Sequence, residues 1–294
     1  MKKIVIFGVG LIGGSVALAL KKAQFVTHIV GVGRSEKSLN EALKLGVIDA
    51  ICMADETQTT LHAALEDADV VFIAAPVAQT AGILQSIKPH LNHQTIITDA
   101  GSTKGDVLAC AKTILGAQFS QFVGGHPIAG AEKSGVSAAK SDLFIGKNVV
   151  LTPTPETNRD ALASVTELWQ KCGANVTKMS AETHDSIFAA VSHLPHLLAF
   201  ALVDDIASRP NAAQLFSFAA SGFRDFTRIA GSSPEMWRDI SLANKTALLS
   251  EINAFENELS QLKQLLKSDD GAGLQALFER ASVARNNWAN SKKQ

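Results

Sequence analysis

The chain begins with Lys3-Ile4-Val5-Ile6-Phe7, followed at once by Gly8-Val9-Gly10-Leu11-Ile12-Gly13. A short apolar run ending in this glycine pattern reads as a buried strand, a tight turn and the start of a helix. Gly8 permits the turn, Gly10 lets the backbone approach a pyrophosphate, and Gly13 allows helix and strand to pack closely. The N–H groups at the helix start, around Gly10, Leu11, Ile12 and Gly13, are then aimed at the phosphates of a bound dinucleotide.

This opening fits the pattern that follows. Short runs rich in Ile and Val recur at Lys3–Phe7, His28–Val32, Val70–Ala75, Thr95–Thr98, Phe122–Gly124 and Asn148–Thr152. Segments of helical character lie between them, at Ser15–Ala23, Ser38–Leu45 and Lys104–Leu115. A further helix is expected over Asn158–Cys172 and a last strand over Asn175–Met179. Alternation of this kind indicates an α/β fold with a mostly parallel sheet, its strands buried on both faces. After Met179 the pattern changes. Ser180 can cap a helix running through His184 and Phe188, and no strand follows. Leu248, Ile252, Phe255, Leu259, Leu262 and Leu266 lay one apolar stripe along a long helix, ended by Asp269-Asp270-Gly271 before a final helix near Leu274–Trp288. The stripe suits either a seam within the domain or a homodimer interface. The expected division is therefore residues 1–179 for a dinucleotide-binding α/β domain and 180–294 for an all-helical one.

The second strand addresses the choice of cofactor. A site for NAD usually carries an acidic residue at the end of that strand to hold the ribose 2′-hydroxyl. Here the strand ends in Gly33, followed by Arg34 and Ser35. A guanidinium and a hydroxyl stand where a 2′-phosphate would lie, so NADP is expected over a weaker NAD. Ala75 and Pro76, closing the Val70–Ala75 run, are further candidate cofactor contacts.

Composition excludes other classes. Lys and Arg number 27 against 28 Asp and Glu, a formal net charge of -1, which favours neither nucleic acid nor an anionic membrane as partner. The three cysteines, Cys52, Cys110 and Cys172, show no metal or disulfide spacing. No apolar run reaches membrane-spanning length, Val191–Val203 being interrupted by two histidines and a proline, and the N-terminus lacks a leader pattern. A cytoplasmic protein is expected.

Four further segments carry chemistry: Thr98-Asp99-Ala100-Gly101-Ser102-Thr103-Lys104, Gly124-Gly125-His126-Pro127-Ile128-Ala129-Gly130, Ser192-His193-Leu194-Pro195-His196, and Gly222-Phe223-Arg224-Asp225-Phe226-Thr227-Arg228-Ile229-Ala230 with Trp237 beyond. In this order, after the glycine fingerprint, they make the chain resemble the prephenate/arogenate dehydrogenase family over nearly its whole length. The resemblance implies a Rossmann-type dinucleotide-binding domain followed by an all-helical dimerisation domain, with a small-molecule substrate between them. The reaction implied is oxidative decarboxylation of a cyclohexadienol, arogenate or prephenate, in tyrosine biosynthesis, with hydride passing to NADP. Such a reaction needs one base, correct orientation and cationic clamps on the carboxylates, but no metal, because the ring itself takes up the electrons.

His126, just past a predicted strand and with an imidazole that titrates near neutrality, is the candidate base. By resemblance Ser102 bridges base, substrate hydroxyl and nicotinamide; it could also cap the helix that follows. Arg228 is preferred to Arg224 as the clamp on the ring carboxylate. His184 and His196 match substrate-side positions, His193 reads as structural, and Trp237 as a pocket wall. Asp185 or Asp225 could meet the ammonium of arogenate, the substrate slightly favoured. The chain length leaves no room for an appended regulatory domain, so any tyrosine inhibition is expected at the active site. The rival readings are a β-hydroxyacid dehydrogenase, whose GxxxKxxxN motif is missing here, and an NADP-binding sensor, which would need no base.

Overall fold

A computed structural model describes residues 1–54, 58–130 and 133–291. Its strands are β1 (Lys3–Phe7), β2 (His28–Gly33), β3 (Ala50–Met53), β4 (Val70–Ile73), β5 (Ile96–Asp99), β6 (Phe122–Pro127), β7 (Asn148–Thr152) and β8 (Asn175–Lys178). They form one eight-stranded sheet in the order β3-β2-β1-β4-β5-β6-β7-β8. Every neighbouring pair is parallel except β6 with β7. The helices among and after the strands are α1 (Leu11–Lys22), α2 (Glu36–Lys44), α3 (Gln58–Leu65), α4 (Thr80–Ile87), α5 (Gly105–Leu115) and α6 (Arg159–Lys171). Then come α7 (Ala181–Phe188), α8 (Leu194–Ala207), α9 (Ala212–Ser217), α10 (Ser221–Thr227), α11 (Pro234–Ala243), α12 (Lys245–Lys267) and α13 (Gly271–Ser291).

The alternation along each strand divides the core in two. Ile4 and Ile6 of β1 join Val16 and Leu20 of α1 and Val165 and Trp169 of α6 in one apolar cluster. Val5 and Phe7 face the other way, with Leu65, Leu84, Val107 and Leu115. Because side chains alternate across a strand, a sheet covered on both faces needs continuous apolar strands, and that is why these read as unbroken runs of Ile and Val.

Chain connections leave β1 toward β2 on one side and reach β4 on the other, so a crevice opens where the carboxyl ends of β1 and β4 diverge. Two glycines shape it. Gly8 has φ +92°, and a Cβ there would lie 2.8 Å from the backbone of Ala74; at Gly13 a Cβ would lie 2.2 Å from the carbonyl oxygen of Gly8.

Residues 1–245 form one compact unit and residues 246–294 another, whereas the sequence suggests a division at 179. The early helices of the second half belong with the sheet: α7 packs on α5, and α11 on the short turn Val77–Gln79 after β4. Between α7 and α8 a π-helical turn, Ala189–His193, keeps the chain helical from Ala181 to Ala207. With a mean hydropathy of 1.7, this run is long and apolar enough by composition to cross a membrane, contrary to the expectation that none would be. Its buried His184, Asp185 and His193 hydrogen-bond within the protein, though only 28% of its apolar window is buried. In the second unit, Asp270 caps α13 through Gly273 N. Leu259 and Leu266 of the apolar stripe stay about half exposed or more, at 49% and 62%.

Replacing Gly8 with Ala should lower unfolding stability by roughly 1–3 kcal/mol, since both φ and backbone contact oppose a side chain. Gly10→Ala, where a Cβ meets nothing within 4 Å, should leave stability unchanged yet weaken dinucleotide binding. Urea unfolding and a nucleotide titration on the two variants check this; equal stability loss in both would contradict it.

Candidate active site

At the β1–α1 turn, Gly10 stands at the N-cap of α1 without a side-chain cap, and the first turn-to-helix bond runs from Gly14 N to Gly10 O. The N–H groups of Leu11 and Ile12 are left to meet a ligand, and the positive end of the helix dipole favours an anion there. Ala74 N donates to Phe7 O at 2.7 Å, which draws Ala75 and Pro76 to the same crevice. At the end of β2, Ser35 caps α2 by accepting from Ser38 N and Ser38 Oγ, so only its own hydroxyl proton remains to donate. Arg34 is exposed beside it and makes no hydrogen bond or ion pair with the described residues. Glycines, helix start and guanidinium together fit a dinucleotide phosphate backbone.

A second cluster lies at the ends of β5 and β6. Asp99 closes β5, and Lys104 follows five residues later; both are buried and form an ion pair. Asp99 also accepts from Gly101 N at 2.8 Å and Gly125 N at 3.0 Å, while Lys104 Nζ donates to Gly125 O at 2.9 Å. A buried pair survives only when its remaining hydrogen-bonding capacity is used. Here those bonds tie the turn that carries Ser102 to the strand that carries His126. Ser102 itself is half-buried and makes no hydrogen bond with the described residues. It does not cap α5. Asp185 of α7 does so instead, its Oδ1 accepting from Lys104 N at 2.9 Å and its Oδ2 from Gly105 N at 2.8 Å.

His126 lies within β6 rather than just past it, paired with Val150. Its ring meets Phe188 and His184 at centroid distances of 4.9 and 5.0 Å. His126 Nδ1 is 2.8 Å from His184 Nε2, and His184 Nδ1 is 2.8 Å from Asp185 Oδ1. His184 is wholly buried with both ring nitrogens engaged. It backs the candidate base directly, a placement the sequence reading of His184 as a substrate-side residue did not include. Asp185 is likewise spent on α5 and His184 and is withdrawn as a partner for a substrate ammonium. Burial pushes His126 well below the usual imidazole range, with the charges of His184 and Lys104 adding to the effect. Its neutral form, able to accept a proton, is thus the resting one.

From Asp185 the contacts continue into the helical region. Asn244 Nδ2 donates to Asp185 O at 2.8 Å and lies 3.1 Å from His193 Nδ1. His193 is buried, and burial lowers it to about 4, as expected of a structural histidine. Trp237 lies 6.0 Å from the His193 ring and stacks on His196 at 3.7 Å. Its buried Nε1 has no partner among the described residues. His196 is held by Ser192 O at 2.9 Å, and burial lowers it, the charge of Arg228 contributing. Arg228 starts the short turn Arg228–Gly231, which packs on α8, and Arg224 lies on α10; both side chains are exposed. One neutral base, one tryptophan donor, one further imidazole and a guanidinium thus occur within a single compact unit. Sequence alone gives Asp99, Lys104 and Asn244 no role, although Asp99 and Lys104 fall in the Thr98–Lys104 segment; Asn244 and Lys104 meet in Asp185 a partner 59 and 81 residues away, which no spacing announces.

Comparison with known proteins follows the same lines. The profile "Prephenate dehydrogenase, nucleotide-binding domain" matches residues 16–178, and "Prephenate dehydrogenase, dimerization domain" matches residues 180–280. The chain is 39% identical to the prephenate dehydrogenase of Bacillus subtilis, over 96% of this chain and 75% of that one. It is 33% identical to the cyclohexadienyl dehydrogenase of Zymomonas mobilis, over 97% and 95% of the two chains. The crystal structure of Aquifex aeolicus prephenate dehydrogenase, in complex with hydroxyphenyl propionate and NAD+, superposes with a TM-score of 0.90 at 39% identity, covering 97% of each chain.

Burial of neutral His193 makes stability depend on pH. Its folded pKa of about 4 lies below the ordinary 6.5, so the folded state binds the proton less readily. The contribution is complete above about pH 6.5 and is lost as pH falls toward 4, up to about 3 kcal/mol. Urea unfolding at pH 7 and pH 4.5 should show the decline, and His193→Gln should remove part of it; a flat profile in the parent protein would contradict the assignment.

Proposed function

Since the chain belongs to the prephenate dehydrogenase family, we propose that this oxidoreductase converts prephenate to 4-hydroxyphenylpyruvate, with His126 as the base and NADP preferred to NAD. The observation that carries the reading is the neutral His126 imidazole, backed by His184 and standing on the strand tied to the Ser102 turn. The hydroxyl proton of the substrate passes to His126 Nε2 as the ring carbon loses hydride. Loss of the ring carboxylate as CO2 sends its electron pair through the ring to the former hydroxyl oxygen, and the phenolate takes the proton back from His126 to become the phenol. The bound dinucleotide supplies the hydride acceptor. Gly8, Gly10, Leu11, Ile12 and Gly13 hold its pyrophosphate, and Ala75 and Pro76 line the crevice. Ser102, whose hydroxyl bonds to none of the described residues, orients the substrate hydroxyl toward His126. Arg228 clamps a substrate carboxylate, with His196 and the Trp237 N–H on the same side.

Two choices are finer. Withdrawal of Asp185 leaves Asp225 as the acidic group first considered for an ammonium, and it is exposed on α10. The donors around Arg228 suit a keto acid better, so prephenate replaces arogenate as the favoured substrate. For the cofactor, the Aquifex relative holds NAD+, but here Arg34, which pairs with none of the described residues, follows a β2 that ends without an acidic residue, and this supports a 2′-phosphate. The functional division is taken at 179/180, where the sheet ends and Ser180 caps α7. The exposed Leu259 and Leu266 of the α12 stripe support a homodimer built through the helical region. A cytoplasmic location accords with the biosynthetic chemistry.

His126→Asn should reduce kcat with prephenate by about 10²- to 10⁴-fold while dinucleotide binding persists; unchanged turnover would remove His126 as the base. Arg34→Ala should raise KM for NADP at least about tenfold with little change for NAD, the loss of one charge-assisted phosphate contact. Equal effects on both cofactors would place Arg34 away from the 2′-phosphate.

A further inference from the structure

The Asp185 carboxylate has a fixed protonation state. Each of its oxygens accepts a backbone N–H at the start of α5, and Oδ1 also meets His184 Nδ1. Burial alone would raise its pKa, but the bonds from His184, Gly105 and Lys104 outweigh burial and hold it below the usual carboxylate range. Having no proton to give, it makes His184 Nδ1 the donor of the 2.8 Å bond. In neutral His184 the lone pair then sits on Nε2, and the 2.8 Å contact to His126 requires His126 Nδ1 to donate. His126 Nε2 is thereby left deprotonated, the state a base needs.

Resting on the reading of His126 as the base, we propose that Asp185 and His184 are positioning residues that form a proton relay with His126, so that the charge acquired from the substrate hydroxyl settles on His184 beside Asp185. The step balances without another reactant. The substrate proton binds His126 Nε2, the His126 Nδ1 proton crosses to His184 Nε2, and the lone pair moves to His126 Nδ1. His126 ends neutral in the opposite tautomer, and His184 ends as the cation. The electrostatics favour this destination. His184 has a carboxylate in contact, whereas among the described residues Phe188 and His184 are the rings against His126, with no carboxylate bonded to it. The other charged or titratable groups acting on the pair are Lys104, bound to Asp99, and His193. Burial lowers both imidazoles, but the Asp185 hydrogen bond partly offsets it at His184, and His126 is pushed further down. Asp185 also anchors the start of α5, so one side chain sets both the tautomer of the base and the position of the turn bearing Ser102.

The test uses the intact protein, labelled with ¹⁵N in histidine and free of ligands, with signals assigned from single His→Gln variants. Long-range ¹H–¹⁵N correlations at pH 8 should show Nδ1–H tautomers at His126 and His184. On acidification His126 should switch to Nε2–H without becoming a cation while His184 becomes doubly protonated. A first cation on His126, or an Nε2–H tautomer there at pH 8, overturns the relay. In kinetics Asp185→Asn should lower kcat by at least about 100-fold, as loss of the tautomer-fixing carboxylate does in the Ser-His-Asp triad, with cofactor KM within about threefold. The acid limb of the kcat/KM profile should move to lower pH, because a negative charge has gone, and Asp185→Glu should restore part of the rate. An unmoved acid limb in a folded, active Asp185→Asn variant also overturns it. Turnover of prephenate with the wrong tautomers overturns the relay alone, whereas the expected tautomers without turnover refute the functional reading, and the transfer from a substrate hydroxyl with it, and leave only the resting hydrogen-bond order.

Discussion

The carboxylate of Asp185 is the point at which the sheet domain and the first helix after it become one structure. A helix start leaves N–H groups that must find acceptors, and a buried imidazole pair must have its tautomers fixed. A single side chain meets both demands, since it reaches Lys104 N, Gly105 N and His184 together. The Asp99–Lys104 pair does the corresponding work a turn away, binding the β5 turn to the backbone of Gly125. Removing either partner of that pair would strand a buried charge, so the turn and the β6 strand are held in fixed relation. The Ser102 hydroxyl and the Nε2 side of the His126 ring, which meet no hydrogen-bond partner among the described residues, stand on this rigid support.

The sheet explains why the site is where it is. Parallel strands gather loop ends along one edge, and the crevice opens where the connections from β1 reverse direction. Close backbone approach at Gly8 and Gly13 brings the β1 and β4 ends near enough to present the start of α1 to a phosphate. The antiparallel pairing of β6 with β7 keeps His126 within a hydrogen-bonded ladder instead of a free loop. A base held on a strand loses little orientation between turnovers, which suits a reaction whose demands are chiefly geometric.

The features legible in the sequence are those whose physics is local. The strand–glycine–helix opening, the Ser180 cap and the Asn158 start of α6 depend on neighbours a few residues away, and each lies where sequence places it. β3 was missed because Ala50–Met53 contains only one β-branched residue and lacks a contrasting flank. β6 reads too short because Gly124-Gly125 looks like a turn; both residues are in the ladder, opposite Thr152 and Leu151. Ser102 reads as a cap for α5, yet the cap comes from 81 residues away. His184 and Asp185 carry no mark of their pairing with His126 and the start of α5, because only the packing of α7 on α5 brings them together. The imidazole and carboxylate types were visible as chemistry; which of them face a ligand and which face each other was not.

The most direct test of the account is the initial rate of nicotinamide reduction by the purified protein with prephenate or arogenate, each combined with NAD or NADP. The account predicts turnover with prephenate, fastest with NADP, and release of 4-hydroxyphenylpyruvate and CO2 in equal amounts. Folded protein that binds NADP yet reduces neither cofactor with either substrate would contradict it.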